Sequence, residues 1–299
     1  MGKRLGKYTK NNTKCIVPVK IKIENNMKEM TFDEIKMCSQ AILDFIDRIC
    51  QENKITYYLC AGTLLGAVRH NGFIPWDDDI DIMMPREDYE RLHDIWKNDG
   101  HYKLLNAKNT PHFPYAYSKL IDDRTVKIEP IRKKYQVIGV DVDIFPLDNF
   151  PDNEKEALLY LDTIKAFQQK LYNHITPYKR ALTFFRTITS TALTLRARAQ
   201  EFFWGKTAEK IVTQFQRNAQ LYNSQQTNYC GITTLYHYGM GERYRKAIFS
   251  EVVLVEFENK QYPAPRGYKE YLENMYGDFM QLPSEDKRKT HHSYKAYWK

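Results

Sequence analysis

Cysteine is scarce and unpatterned in this chain: Cys15, Cys38, Cys50, Cys60 and Cys230 form no C-x-x-C pair and no zinc-site spacing. An odd count without a framework excludes a disulfide scaffold and predicts reduced thiols, hence a cytoplasmic setting. Long apolar runs are missing as well. No stretch approaches the roughly 18 consecutive apolar residues that cross a bilayer. The first residues are basic but lack the apolar run of a secretory signal, which again predicts a cytoplasmic protein. Two catalytic signatures are absent. Without a G-x-S-x-G elbow a serine hydrolase is disfavoured, and without a G-x-x-x-x-G-K-[ST] loop so is a P-loop kinase. No internal repeat or low-complexity segment stands out.

Acid is outnumbered by base. With 45 Lys and Arg against 37 Asp and Glu the formal net charge is +8, which favours an anionic partner. The excess lies in the N-terminal arm (Lys3, Arg4, Lys7, Lys10, Lys14), in Arg132-Lys133-Lys134 and between Lys179 and Arg198. A basic arm by itself is read as a solvated terminus. The 22 tyrosines and 15 phenylalanines are read mainly as packing.

The periodicities predict an α/β protein: helix, strand, helix, strand, helix, several strands, long helices, then a small C-terminal part. Thr31 with Glu34 three residues on is a capping box, followed by Ile35, Met37, Cys38, Ile42, Phe45, Ile46 and Ile49 at helical spacing. "ITYYLCAG" reads as a strand, "GTLLGAVRHNG" as a helix opened by glycine and closed by Gly72, and "PREDYERLHDIWKND" as a helix with proline in its first turn. "YAYSKLID" and "TVKIEP" read as separate short strands, before "VIGVDVDIFPL". The expected division is a basic arm over 1–30, a catalytic core over 31–150, a helical region over 151–235 and a part over 236–299 that completes the catalytic domain.

Acid is concentrated in "FIPWDDDIDIMMP", where Asp77, Asp78, Asp79 and Asp81 fall within five positions. In a strand, residues two apart share a face, so Asp79 and Asp81 project together while Ile80 and Ile82 face the opposite layer. Paired carboxylates repel one another unless a cation sits among them. "VIGVDVDIFPL" repeats the alternation with Asp141 and Asp143; if the two strands pair, three carboxylates can converge on one or two ions. Mg²⁺ is the natural occupant, with Mn²⁺ the alternative, because it keeps open positions for phosphate oxygens. Gly62-Thr63, opening a helix after a strand, would turn backbone N–H groups and a hydroxyl towards those phosphates.

The segment "GTLLGAVRHNGFIPWDDDIDIMMPREDYERL" resembles the LicD family of phosphocholine transferases, relatives of the fukutin-type ribitol-phosphate transferases. The likeness continues through "YAYSKLIDDRT", "VDIFPLD" and "YPAPRGYKEYLENMYGDFMQLPSEDKR", from about residue 30 to 290. The region from about 150 to 235 carries no matching motif. The resemblance implies a nucleotidyltransferase-like mixed-sheet fold with the Gly-Thr helix and three strand aspartates as its active site: Asp79, Asp81 and, likewise as metal ligand and catalytic group, either Asp141 or Asp143, with Asp143 favoured by the flanking Ile144-Phe145-Pro146-Leu147. It also implies transfer of a phosphorylated alcohol, phosphocholine or similar, from a CDP-alcohol donor to a cell-surface glycan or its lipid-linked precursor. No nucleic-acid partner is expected.

Other residues carry two readings each. Asp77 and Asp78 read as a loop or cap beside the site rather than as ligands. Arg69 reads as a phosphate contact or as the partner of Asp77 or Asp78. Lys119 reads as a point charge on the diphosphate, against a solvated strand lysine. Trp76 reads as packing before base stacking, and His291-His292 as tail before metal ligand. One helical face over 181–203 is apolar with basic flanks and almost no acid; a helix packed on the core is preferred to a peripheral membrane contact. Two rivals to phosphotransfer stay open. One is a nucleotidyltransferase making the activated donor from a nucleoside triphosphate; the other is a non-enzymatic anion- or membrane-binding protein with a vestigial site.

Overall fold

The computed structural model of the protein describes residues 27–97, 100–128, 138–175, 207–290 and 294–299. Residues 1–26 of the N-terminal arm, the 132–134 basic run, the 181–203 face and His291-His292 lie outside them.

A two-residue strand, β1 (Lys28–Glu29), leads into α1 (Phe32–Asn53). The capping box forms as the sequence predicts: Glu34 N–H donates to Thr31 Oγ1 at 3.1 Å, and Thr31 N–H to Glu34 Oε2 at 2.8 Å. Ile35, Cys38, Ile42 and Ile46 make the buried stripe, with Phe45 and Ile49 half-buried at its margin. Met37, expected in that stripe, is 69% exposed because it falls on the outer turn.

Strand β2 (Tyr58–Leu59) then turns into α2 (Ala61–His70). Asn71, not Gly72, takes the left-handed position that ends α2, with φ 56°. Gly72 instead makes room for a side chain: a Cβ there would stand 2.3 Å from Glu258 Oε1, the carboxylate that accepts the Phe73 N–H. Next come β3 (Ile80–Pro85) and α3 (Arg86–Ile95), with Pro85 as the cap. After β4 (Tyr102–Leu105), the two strand-like runs of the sequence prove to be one strand, β5 (Ser118–Ile128). Its register shifts between Asp122 and Lys127, so one strand carries two phases of alternation.

Strand β6 (Ile138–Phe150) is the centre of the sheet. Helix α4 (Glu154–Ile175) and helix α5 over 207–219 follow it. The chain returns through β7 (Tyr229–Ile232), β8 (Tyr244–Arg245), a hairpin of β9 (Val252–Phe257) and β10 (Lys260–Pro265), α6 (Tyr268–Tyr276) and β11 (Lys295–Trp298). The main sheet runs β1-β11-β5-β6-β3-β2, with β4 on β5, β7 on β6 and β8 on β7. Strands β3 and β6 are parallel and the other pairings antiparallel, so the fold is α/β with a mixed sheet.

The core lies between this sheet and its helices. Ile80, Ile82, Val142 and Ile144 are fully buried, as strict alternation on β3 and β6 requires. "FPLD" supplies a second anchor: Arg86 of α3 forks onto Asp148 of β6 at 2.7 and 2.6 Å, and Asn223 and Thr233 donate to the same carboxylate. Cys38, Cys50, Cys60 and Cys230 are buried free thiols. No helix among the described residues is long and apolar enough to cross a membrane.

Candidate active site

The two acidic strands lie side by side. Parallel pairing of β3 with β6 sets Asp81 in register with Asp143, flanked by Ile80 opposite Val142 and Ile82 opposite Ile144. The isoleucines point into the core, so the carboxylates must share the other face. Burial raises the Asp81 carboxyl well above the usual carboxylate range, and the charges of Asp79 and Asp143 raise it further. Burial likewise raises Asp143, with Lys119 pulling it down and Asp141 pushing it up.

Asp141 shares that face but has a different environment. Lys119 Nζ donates to its Oδ2 at 2.5 Å and Lys127 Nζ to its Oδ1. Burial opposes its ionisation, yet the two ammonium groups outweigh burial and hold the carboxyl below its ordinary range. Lys119 also donates to Asp143 Oδ1. Lys119 is therefore not a solvated strand lysine. Antiparallel pairing puts it opposite Asp143, enclosed under the rings of Tyr115 and Tyr117 at 4.8 and 5.6 Å. Its charge is engaged inside the protein by two carboxylates.

Gly62 and Thr63 lie in the first turn of α2, whose cap residue Cys60 makes no side-chain cap bond. Thr63 Oγ1 accepts the Asp81 N–H at 2.8 Å, and the Cys60 N–H donates to the Asp81 carbonyl at 3.1 Å. The helix start is therefore tied directly to the acidic strand. Ala61 has φ 45°, an unfavourable conformation for a residue with a Cβ, and its N–H donates to Tyr271 Oη at 3.1 Å. Asp77 Oδ2 would stand 3.0 Å from a Cβ on Gly62, so glycine lets that carboxylate approach the turn.

Arg69 needs correction. It lies at the far end of α2, where Nη1 donates to the carbonyls of Phe279 and Gln281 at 3.0 and 3.5 Å and Nε donates to His70. It binds the returning C-terminal chain rather than Asp77 or Asp78. Asp78 is buried and accepts from Tyr294 Oη at 2.9 Å, so it is held beside the site. Trp76 packs on the core and meets His70 edge-on.

Four residues near the site escape sequence reasoning: Lys127, Tyr117, Glu242 and Tyr294. Burial and the nearby Asp143 raise the Tyr117 phenol. Glu242 is buried, accepts the His237 and Tyr238 N–H groups at 3.2 Å, and is pushed by burial up to about 7. A raised acid of this kind has no sequence signal, because its burial is set by chain packed from far away.

The donor chemistry fits a hard divalent cation. Asp81 and Asp143 offer oxygen ligands only, and they stand side by side on adjacent strands with Asp79 two positions before Asp81. Among the described residues no three His, Cys, Asp or Glu side chains already stand in coordinating positions around one point; Lys119 is the cation set against Asp143. Two clefts of about 390 Å³ lie elsewhere, one between α1 and the β9–β10 hairpin, the other beside α6, and neither is lined by the aspartates.

Residues 54–187 match the family model described as LicD/FKTN/FKRP, nucleotidyltransferase domain. The chain is 33% identical over 275 residues to the lipopolysaccharide cholinephosphotransferase LicD of Haemophilus influenzae, covering 91% of this chain and 99% of that protein. It is also 54% identical over 139 residues to the uncharacterized protein RP689 of Rickettsia prowazekii, covering 36% of this chain and 52% of that one.

Proposed function

This chain belongs to the LicD family, and from that premise we propose that it moves phosphocholine from a CDP-linked donor to a sugar hydroxyl of a lipopolysaccharide-type glycan or its lipid-linked precursor. The observation that carries the reading is the registered pair Asp81 and Asp143, half-buried side by side beside the start of α2. Asp79, Asp81 and Asp143 would hold Mg²⁺, or Mn²⁺ in its place, which when bound neutralises the charge of the diphosphate and of the departing nucleotide.

The chain's own groups then act as follows. Backbone N–H groups of Gly62 and Thr63 face the phosphates from an uncapped helix start. Thr63 Oγ1 already accepts from Asp81, so its own hydrogen is available to donate. Asp143 takes the proton of the attacking sugar hydroxyl. The sugar oxygen forms a bond to the phosphorus that carries choline, the bond from that phosphorus to the bridging oxygen breaks, and CMP leaves with the electron pair. Asp143 afterwards releases its proton to solvent. Arg69 donates to backbone carbonyls of the C-terminal chain and Lys119 to Asp141 and Asp143, so either cation would share these partners with the donor's diphosphate.

Buried unpaired thiols and a nucleotide donor suit a cytoplasmic site of action. The test is incubation with CDP-choline, Mg²⁺ and glycan lacking phosphocholine. CMP release that depends on the glycan is the expected result. Pyrophosphate release from CTP would instead establish a nucleotidyltransferase.

A further inference from the structure

The acidic site is joined to the last strand of the protein by a continuous line of contacts. Asp143 meets Lys119, Lys119 meets Asp141, and Asp141 meets Lys127. The Lys127 ammonium lies over the ring of Tyr294, 4.5 Å from its centroid. The Tyr294 hydroxyl donates to Asp78 Oδ2 at 2.9 Å. Asp78 directly precedes Asp79, so the line leaves the site on β6 and returns to it at the turn before β3.

Each link has a structural cause. Strand β11 pairs with the C-terminal end of β5, setting Lys295 opposite Ile128 and Tyr297 opposite Val126. Tyr294 sits immediately before β11, and the pairing delivers it to Lys127. The shift between Asp122 and Lys127 lets both Lys119 and Lys127 reach Asp141, although they are eight positions apart. Asp78 is 5% exposed, and a polar side chain so enclosed is costly unless it is hydrogen-bonded.

We propose that Tyr294 is a positioning residue of the aspartate site: its hydroxyl fixes Asp78, and through it the turn that presents Asp79 beside Asp81 and Asp143. The ring resting on Lys127 sets where the hydroxyl stands, so the orientation of the turn follows the placement of the C-terminal strand. The inference rests on the metal-binding reading above. Outer partners that orient metal-ligating carboxylates typically change metal affinity by roughly ten- to a hundredfold when removed.

The experiment titrates Mn²⁺ calorimetrically into the full chain, Tyr294→Phe, Asp78→Ala and the double variant. Melting temperatures are recorded alongside, as is hydrogen exchange of the 72–80 backbone. Tyr294→Phe keeps the ring on Lys127 and removes only the hydroxyl. It is expected to weaken Mn²⁺ binding roughly tenfold or more, to speed exchange over 77–79 and to move the melting temperature little. The double variant is expected to bind no worse than Asp78→Ala alone, because both changes break the same contact. Equal Mn²⁺ affinity in Tyr294→Phe and the parent overturns the proposal. So do additive losses in the double variant, and so does a large fall in melting temperature, which would make Tyr294 a stability element. If the parent itself binds no Mn²⁺, the metal reading fails. Exchange over 77–79 then decides alone: faster exchange in Tyr294→Phe upholds the brace, and unchanged exchange ends it.

Discussion

Asp81 and Asp143 are register partners on adjacent parallel strands, two carboxylates that the backbone holds side by side and that burial makes costly to ionise. Both are raised above the usual carboxylate range, so ionising them near neutrality works against the fold. Asp81→Asn and Asp143→Asn should therefore fold as well as the parent, or melt slightly higher at pH 7. Transfer activity should fall by roughly a hundredfold or more, since each removes a charge from the reacting centre. CMP release and thermal melting, measured on both variants, check this. Full activity in either would remove that residue from the site.

Asp141→Asn should fail in the opposite way. Its carboxylate lies between Lys119 and Lys127, and neutralising it leaves Lys127 without its carboxylate and Lys119 with Asp143 alone. Breaking a buried ion pair from one side costs about 3–5 kcal/mol. The expected result is a sharply lower melting temperature, with turnover per folded molecule reduced far less than in Asp143→Asn. A stable but inactive Asp141→Asn would exchange the roles of the two residues.

The contrast between these aspartates shows what the sequence makes legible. The alternation of acid and isoleucine in "DIDIMM" and "VDVDIF" exposes both strands, because a period of two admits one buried face. The α/β order and the capping box at Thr31 follow from equally local patterns. Which of Asp141 and Asp143 is neutralised depends instead on what β5 brings opposite, and a lysine in a strand does not announce that a carboxylate will face it. Arg69 is open to misreading for the same reason, since its carbonyl partners at Phe279 and Gln281 return from the other end of the chain. Tyr294 lies 216 positions from Asp78, and no periodicity links them.

Thr63 should separate a hydroxyl that binds substrate from one that also holds the strand. Its Oγ1 accepts the Asp81 N–H in a buried setting. Thr63→Val leaves that N–H unpaired and should cost about 1–3 kcal/mol of stability together with most of the activity. Thr63→Ser retains the acceptor and should keep stability within about 1 kcal/mol of the parent. Chemical denaturation of the pair decides it. Equal stability of the valine and serine variants would show that the tie between α2 and β3 contributes nothing.

Gly66 should tolerate no side chain. A Cβ there would stand 2.4 Å from the Gly72 carbonyl oxygen and 3.1 Å from the Ile74 N, both backbone atoms that cannot rotate away. Gly66→Ala is expected to cost about 1–3 kcal/mol by forcing α2 off the segment that leads to the aspartates. The conservative substitution should also lower activity, because α2 carries Gly62 and Thr63 at its other end. Unchanged melting would mean that the loop over 71–74 yields freely.

Glu242 should give the protein a pH-dependent stability of defined sign. Burial lifts its carboxyl from an ordinary 4.5 to about 7, so the folded state favours the protonated form. Between those values the folded protein binds more protons than the unfolded chain, and stability falls as pH rises. Below about pH 4.5 the contribution is fully favourable; above about pH 7 it is lost. At 1.36 kcal/mol per pKa unit the whole swing is roughly 3 kcal/mol at most. Glu242→Gln keeps an oxygen to accept the His237 and Tyr238 N–H groups but cannot ionise. The variant should therefore match the parent near pH 4.5 and become progressively more stable than it towards pH 8. Denaturation curves of both proteins across that range test the sign directly: a constant difference would mean that Glu242 does not titrate there, and a difference of the opposite sense would mean that a cation pairs with its carboxylate in the folded protein.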